Sequence, residues 1–123
     1  SVPVDFQRFD ILDAKEWHRL DPFDVIVSNP PYVLNSEKTN MRPNVLDYEP
    51  DRALFVPDND PLVFYRAIAV YARYKLSIKG KVYVEINEAL GTETMELFHE
   101  NGFSDVELKQ DINGKNRMIR ACF

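Results

Sequence analysis

The chain has 123 residues, 45% hydrophobic and 28% charged, which is the range of one ordinary water-soluble domain. With 15 Lys and Arg against 20 Asp and Glu, its net charge of −5 excludes a basic coat for a polyanion. One cysteine, Cys122, excludes an internal disulfide; two separated histidines, His18 and His99, lack metal-ligand spacing, and no apolar run exceeds strand length. The opening SVPVDFQRFD carries no secretory signal, so the expected setting is a reducing cytosol, with no membrane partner.

Short β-type runs alternate with helical runs and no segment repeats, an α/β pattern. Val4 to Phe9 alternates as a half-buried strand and stops at Asp10. Asp13 and Glu16 form a capping box that opens a short helix through Leu20, with Trp17 packed on the sheet. Phe23 to Ser28, FDVIVS, reads as a buried strand because three consecutive β-branched residues suit contact on both faces. It ends at Asn29-Pro30-Pro31-Tyr32. No period persists from Val33 to Asp58, a stretch punctuated by Pro43, Pro50 and Pro57; loops this long are usually functional or mobile.

Asp60-Pro61 signals the next helix, an N-cap acceptor followed by proline. Leu62, Tyr65, Ile68, Ala69, Ala72 and Leu76 fall on one face, and Gly80 is read as the stop. Lys81 to Asn87 is the following strand. Thr92 to Asn101 is a second helix with Gly102 as its left-handed exit. Asp105 to Lys109 and Met118 to Phe123 close the chain as a hairpin around Asn113 and Gly114.

The sharpest chemical signal is Asn29-Pro30-Pro31-Tyr32, because open α/β sheets bind ligands beyond the carboxyl ends of their strands. Each residue before a proline is held extended, and the prolines carry no N–H to compete for acceptors. The Asn29 side-chain oxygen and the Pro30 carbonyl can each accept a proton from a planar –NH2 group, with the Tyr32 ring against its π-face. Methylation of an amide or aryl amine needs this grip, since the delocalised nitrogen lone pair must be turned toward the incoming carbon. The competing reading is that the tetrapeptide only turns the chain.

With these residues in view, the sequence resembles the HemK/PrmC protein-(glutamine-N5) methyltransferases. The likeness continues through Tyr48-Glu49-Pro50 with Ala53-Leu54, Asp60-Pro61-Leu62 with Phe64-Tyr65-Arg66, and Gly80 before Val84-Glu85-Ile86. It ends with Asp111, Gly114 and Arg117. The resemblance implies N5-methylation of the glutamine in the Gly-Gly-Gln motif of a peptide-chain release factor, with S-adenosylmethionine as methyl donor. Asn29, Pro30, Pro31 and Tyr32 inherit the catalytic and substrate-gripping role, joined by Glu49; Asp10, Ile11 and Asn29 inherit cofactor contacts.

Two departures accompany the likeness. Glu85-Ile86-Asn87-Glu88 stands where the family usually has Glu-Ile-Gly and a nearby Gln. Class I methyltransferases also carry a glycine-rich cofactor loop after their first strand, whereas no glycine here precedes Gly80. The expected fold is therefore α/β, a partial class I (Rossmann-like) methyltransferase lacking its first two strands, with a C-terminal antiparallel hairpin. Residues 1–123 would be the C-terminal portion of the catalytic domain, inactive alone, without the N-terminal helical domain. Its missing strands would leave a rearranged first strand or an exposed edge open to self-association. The alternatives are an N6-adenine or N2-guanine methyltransferase on RNA or DNA, disfavoured by the acidic balance, and a non-catalytic interaction module. Glu49 and Glu85 could position substrate or cofactor, though solvated loop and strand-end carboxylates are commoner; Asp111, Gly114 and Arg117 could contact the substrate protein, and a hairpin turn with an ion pair explains them as well.

Overall fold

The structure, a computed structural model, describes residues 1–40, 50 and 54–123. Four strands form the main sheet in the order β1-β4-β6-β5. They are β1 (Phe23–Ser28), β4 (Leu76–Glu85), β5 (Asp105–Gln110) and β6 (Asn116–Cys122). Two-residue strands β2 (Val33–Leu34) and β3 (Phe55–Val56) pair in parallel beside it. Helix α1 (Val63–Lys75) leads into β4, and helix α2 (Gly91–Glu100) leads into β5. β1 and β4 run parallel; β4–β6 and β5–β6 are antiparallel.

Alternation along the strands sends Val82, Val84, Ile119 and Ala121 to one face, where they pack with Tyr65, Ile68, Ala69 and Ala72 of α1 and with Leu97 and Phe98 of α2. Phe103 closes this core, edge-on to Phe98 at 5.5 Å and stacked on Phe123 at 4.6 Å. The other face carries Tyr83, Glu85, Met118 and Arg120 and no helix among the described residues. There Arg120 bridges Asp105 and Glu107 of β5 at 3.1 Å.

Several sequence expectations are corrected here. Val4 to Phe9 forms no strand: residues 1–8 are exposed coil, because a strand needs a neighbour to take its backbone hydrogen bonds and none lies beside it among the described residues. FDVIVS is a strand at the expected residues, yet it is an edge rather than a buried strand, and Val25 and Val27 are 55% and 75% exposed on the bare face. The short helix is a 3-10 turn at Ala14–Arg19, capped by the Asp13 carboxylate on the Lys15 N–H at 3.1 Å. Its Trp17 packs edge-on to Tyr71 of α1 at 5.5 Å rather than on the sheet.

Asp60 is not the cap of α1; that position is Leu62, and the Asp60 carboxylate instead binds Arg66 at 2.8 Å. Gly80 does not stop a helix either, because α1 already ends at Lys75 and Gly80 lies within β4. A Cβ there would stand 2.6 Å from Leu76 Cδ1 and 2.9 Å from the Asp24 carbonyl oxygen, so glycine is required where β1 and β4 approach around a bulge. The strand expected over Lys81 to Asn87 accordingly runs from Leu76 to Glu85, and the stretch without a period contains β2, β3 and a 3-10 turn at Asn35–Asn40. Gly102 and Gly114 hold φ of 94° and 77° at the end of α2 and at the hairpin turn.

Candidate functional site

Asn29-Pro30-Pro31-Tyr32 leaves the carboxyl end of β1, where the strand passes out of the sheet beside the carboxyl end of β4. Asn29 is exposed, Pro30 is buried, and Pro31 and Tyr32 are half-buried. Two clefts open around this strand end and share Val27 and Ser28. One, about 260 Å³, is lined by Asn29, Tyr83, Glu85, Arg117 and Met118. The other, about 320 Å³, is walled by Ile11, Pro30, Pro31, Phe64, Ile68 and Tyr71.

The Tyr32 side chain is held from β4. Its hydroxyl donates to Glu85 Oε1 at 2.5 Å, and its backbone carbonyl accepts from Asn87 Nδ2 at 3.1 Å. Burial and then the Glu85 carboxylate push the Tyr32 phenol above its ordinary value, while the Arg117 guanidinium opposes them. Arg117 is in turn bound through its Nε to the Asp111 carboxylate at 3.3 Å. Tyr65 of α1 donates its hydroxyl to the Glu85 backbone carbonyl at 2.6 Å, and burial raises this phenol well above its usual value. Both tyrosines are therefore neutral hydrogen-bond donors at physiological pH.

The structure thus brings together Asn29 and Glu85 in one cleft and Ile11, Pro30 and Pro31 in the other. Asp10 lines neither; its carboxylate accepts the Leu12 N–H at 2.9 Å and closes a turn. Glu49 lies outside the described residues. Sequence reasoning singled out Glu85 and Arg117 but missed that they meet at the Tyr32 phenol: Glu85 sits 53 positions from Tyr32, and Arg117 arrives from the hairpin. It also missed Phe64 and Tyr71 as cleft walls, although Phe64 stands in a motif already noticed. Asn87, the departure from the family pattern, caps the 3-10 turn at Glu88–Leu90 by accepting the Ala89 N–H at 3.0 Å. Glycine has no side chain for that bond.

No protein-family model matches the chain. A solved structure of a release-factor-specific protein-(glutamine-N5) methyltransferase from Alicyclobacillus acidocaldarius superposes with a TM-score of 0.54 and 27% identity, covering 87% of this chain and 52% of that one. Strand order and this likeness define the fold as part of a Rossmann-like methyltransferase. A release factor glutamine methyltransferase of Flavobacterium psychrophilum is 48% identical over all 123 residues, 42% of its own length. One of Bacteroides thetaiotaomicron is 48% identical over 98% of this chain and 43% of its own length. Along its whole length, then, the chain is homologous to the release factor glutamine methyltransferase family, and it spans less than half the length of these relatives.

Proposed function

We propose that the chain is the C-terminal portion of a catalytic domain that methylates the side-chain amide of the Gly-Gly-Gln glutamine of a peptide-chain release factor, with S-adenosylmethionine as donor. The observation that carries this reading is the Asn-Pro-Pro-Tyr segment, set rigidly at a strand's carboxyl end with Asn29 exposed on an open cleft. It lies in a sequence homologous from end to end to enzymes of that name.

The amide is a weak nucleophile, so the chain's work is orientation. Asn29 Oδ1 and the Pro30 carbonyl accept the two N–H protons, and the Tyr32 ring covers one face of the planar group. Oriented acceptors also stabilise the positive charge that develops on the nitrogen as its new bond forms. The proton leaves afterwards to water, so no strong base is needed. His18 and His99 take no part.

S-adenosylmethionine supplies, when bound, an activated methyl group. The second cleft suits its adenine ring: Ile11, Pro30, Pro31, Phe64 and Ile68 give flat apolar walls. None of the four glycines lines either cleft among the described residues, so these walls fit the adenine end of the donor and not its methionine end.

The test is methyl transfer by the full-length protein, with a release factor and ribosomal RNA offered together and the modified atom located by mass spectrometry. A single methyl on the Gly-Gly-Gln glutamine is the expected result. Methyl on an RNA base would keep the –NH2 grip and discard the substrate. Transfer to neither would discard the enzyme.

A further inference from the structure

We propose that Glu85 is a positioning residue for the methyl transfer: from β4 it holds the Tyr32 phenol and so fixes the ring that lies on the amide. This rests on the function proposed above. The two prolines fix the backbone as far as Pro31 and leave the side-chain torsions of Tyr32 free. Something else must set that ring.

The contact is built for the task. The phenol donates to a carboxylate oxygen at 2.5 Å, a charge-assisted bond of the short, strong kind. Glu85 is half-buried rather than a solvated strand end. Its own backbone is pinned from two sides, by the Tyr65 hydroxyl on its carbonyl at 2.6 Å and, one residue on, by the Ile86 N–H on the Arg117 carbonyl at 2.9 Å. Asn87, fixed by its bond to Ala89, takes the other end of Tyr32 through the backbone carbonyl at 3.1 Å. Arg117, tied to Asp111 at 3.3 Å, lines the same cleft as Glu85 and Asn29. A tyrosine held at its hydroxyl and at its backbone carbonyl in the free protein has less ordering left to undergo when substrate arrives.

The experiment is a double-mutant cycle in the full-length protein. Glu85→Ala is expected to lower kcat by about 10- to 100-fold, the scale of a misplaced catalytic geometry, with the KM for S-adenosylmethionine unmoved. Tyr32→Phe removes the same bond from the other side, and the double variant is expected to be no slower than the slower single one. Glu85→Gln keeps an oxygen that accepts the phenol proton and recovers most of the rate. Losses that multiply in the double variant, or a Glu85→Gln as slow as Glu85→Ala, would overturn the proposal.

A second readout needs no substrate. In carbon-13 tyrosine NMR, with the Tyr32 resonance identified by its loss in Tyr32→Phe, the phenol should titrate at lower pH in Glu85→Ala than in the unsubstituted protein. An unchanged titration overturns the contact. If the unsubstituted protein methylates some other amine, the release-factor reading fails by itself, and the cycle on that amine still decides the role of Glu85.

Discussion

The two faces of the main sheet are made by the same strands and have opposite characters. On the helix side, Val82, Val84, Ile119 and Ala121 are excluded from water beneath α1 and α2. On the bare side, Val25 and Val27 meet solvent, and the middle of the sheet carries a tyrosine, a glutamate, a methionine and an arginine. Stability therefore resides on the first face. The candidate site lies where the second face meets the strand ends, as a binding surface must be left open and its polar groups need not be satisfied by packing.

The largest expected effect comes from breaking the covered face. Phe98→Ala removes a ring with 0% exposure and should cost about 3–5 kcal/mol in denaturant unfolding. A loss below about 1 kcal/mol would mean that the core is not where stability lies. At the open strand end the balance reverses. In the full-length protein, Asn29→Ala should leave the melting temperature in place, since the side chain is exposed, and remove about 2.7–4 kcal/mol of transition-state stabilisation. Turnover like that of the unsubstituted protein would refute the grip.

Between the faces stands Gly80. Gly80→Ala puts a methyl against Leu76 and the Asp24 carbonyl and should cost about 1–3 kcal/mol, read as a lower denaturation midpoint with unchanged slope. The smallest effect is expected at Val27. Val27→Ser in the 123-residue chain should stay within about 0.5 kcal/mol. The same change in the full-length protein sharpens the contrast, since a larger cost there would show that further residues cover this face.

Signals that act within a few residues could be read from the sequence. The helix over Gly91–Glu100 and the glycines at 102 and 114 follow from local backbone preference, as does the rigid turn after Ser28. What depended on partners could not be read. Val4 to Phe9 has a strand's alternation and, among the described residues, no strand to pair with. The β-branched run of β1 marks a strand and says nothing about how many neighbours it has. Gly80 looks like any helix-ending glycine until β1 is seen against it. The Tyr32 to Glu85 bond joins a turn to a strand end far along the chain, and no spacing rule connects the two.

The outer side of β1 has one further consequence. Six residues at about 3.3 Å each make about 20 Å of backbone whose outward amides find no strand among the described residues. Parallel pairing with β4 occupies only every second N–H along such a strand. Hydrogen exchange along Phe23–Ser28 should therefore alternate, slow at the amides turned toward β4 and fast at those turned away, in the very segment that presents Asn29.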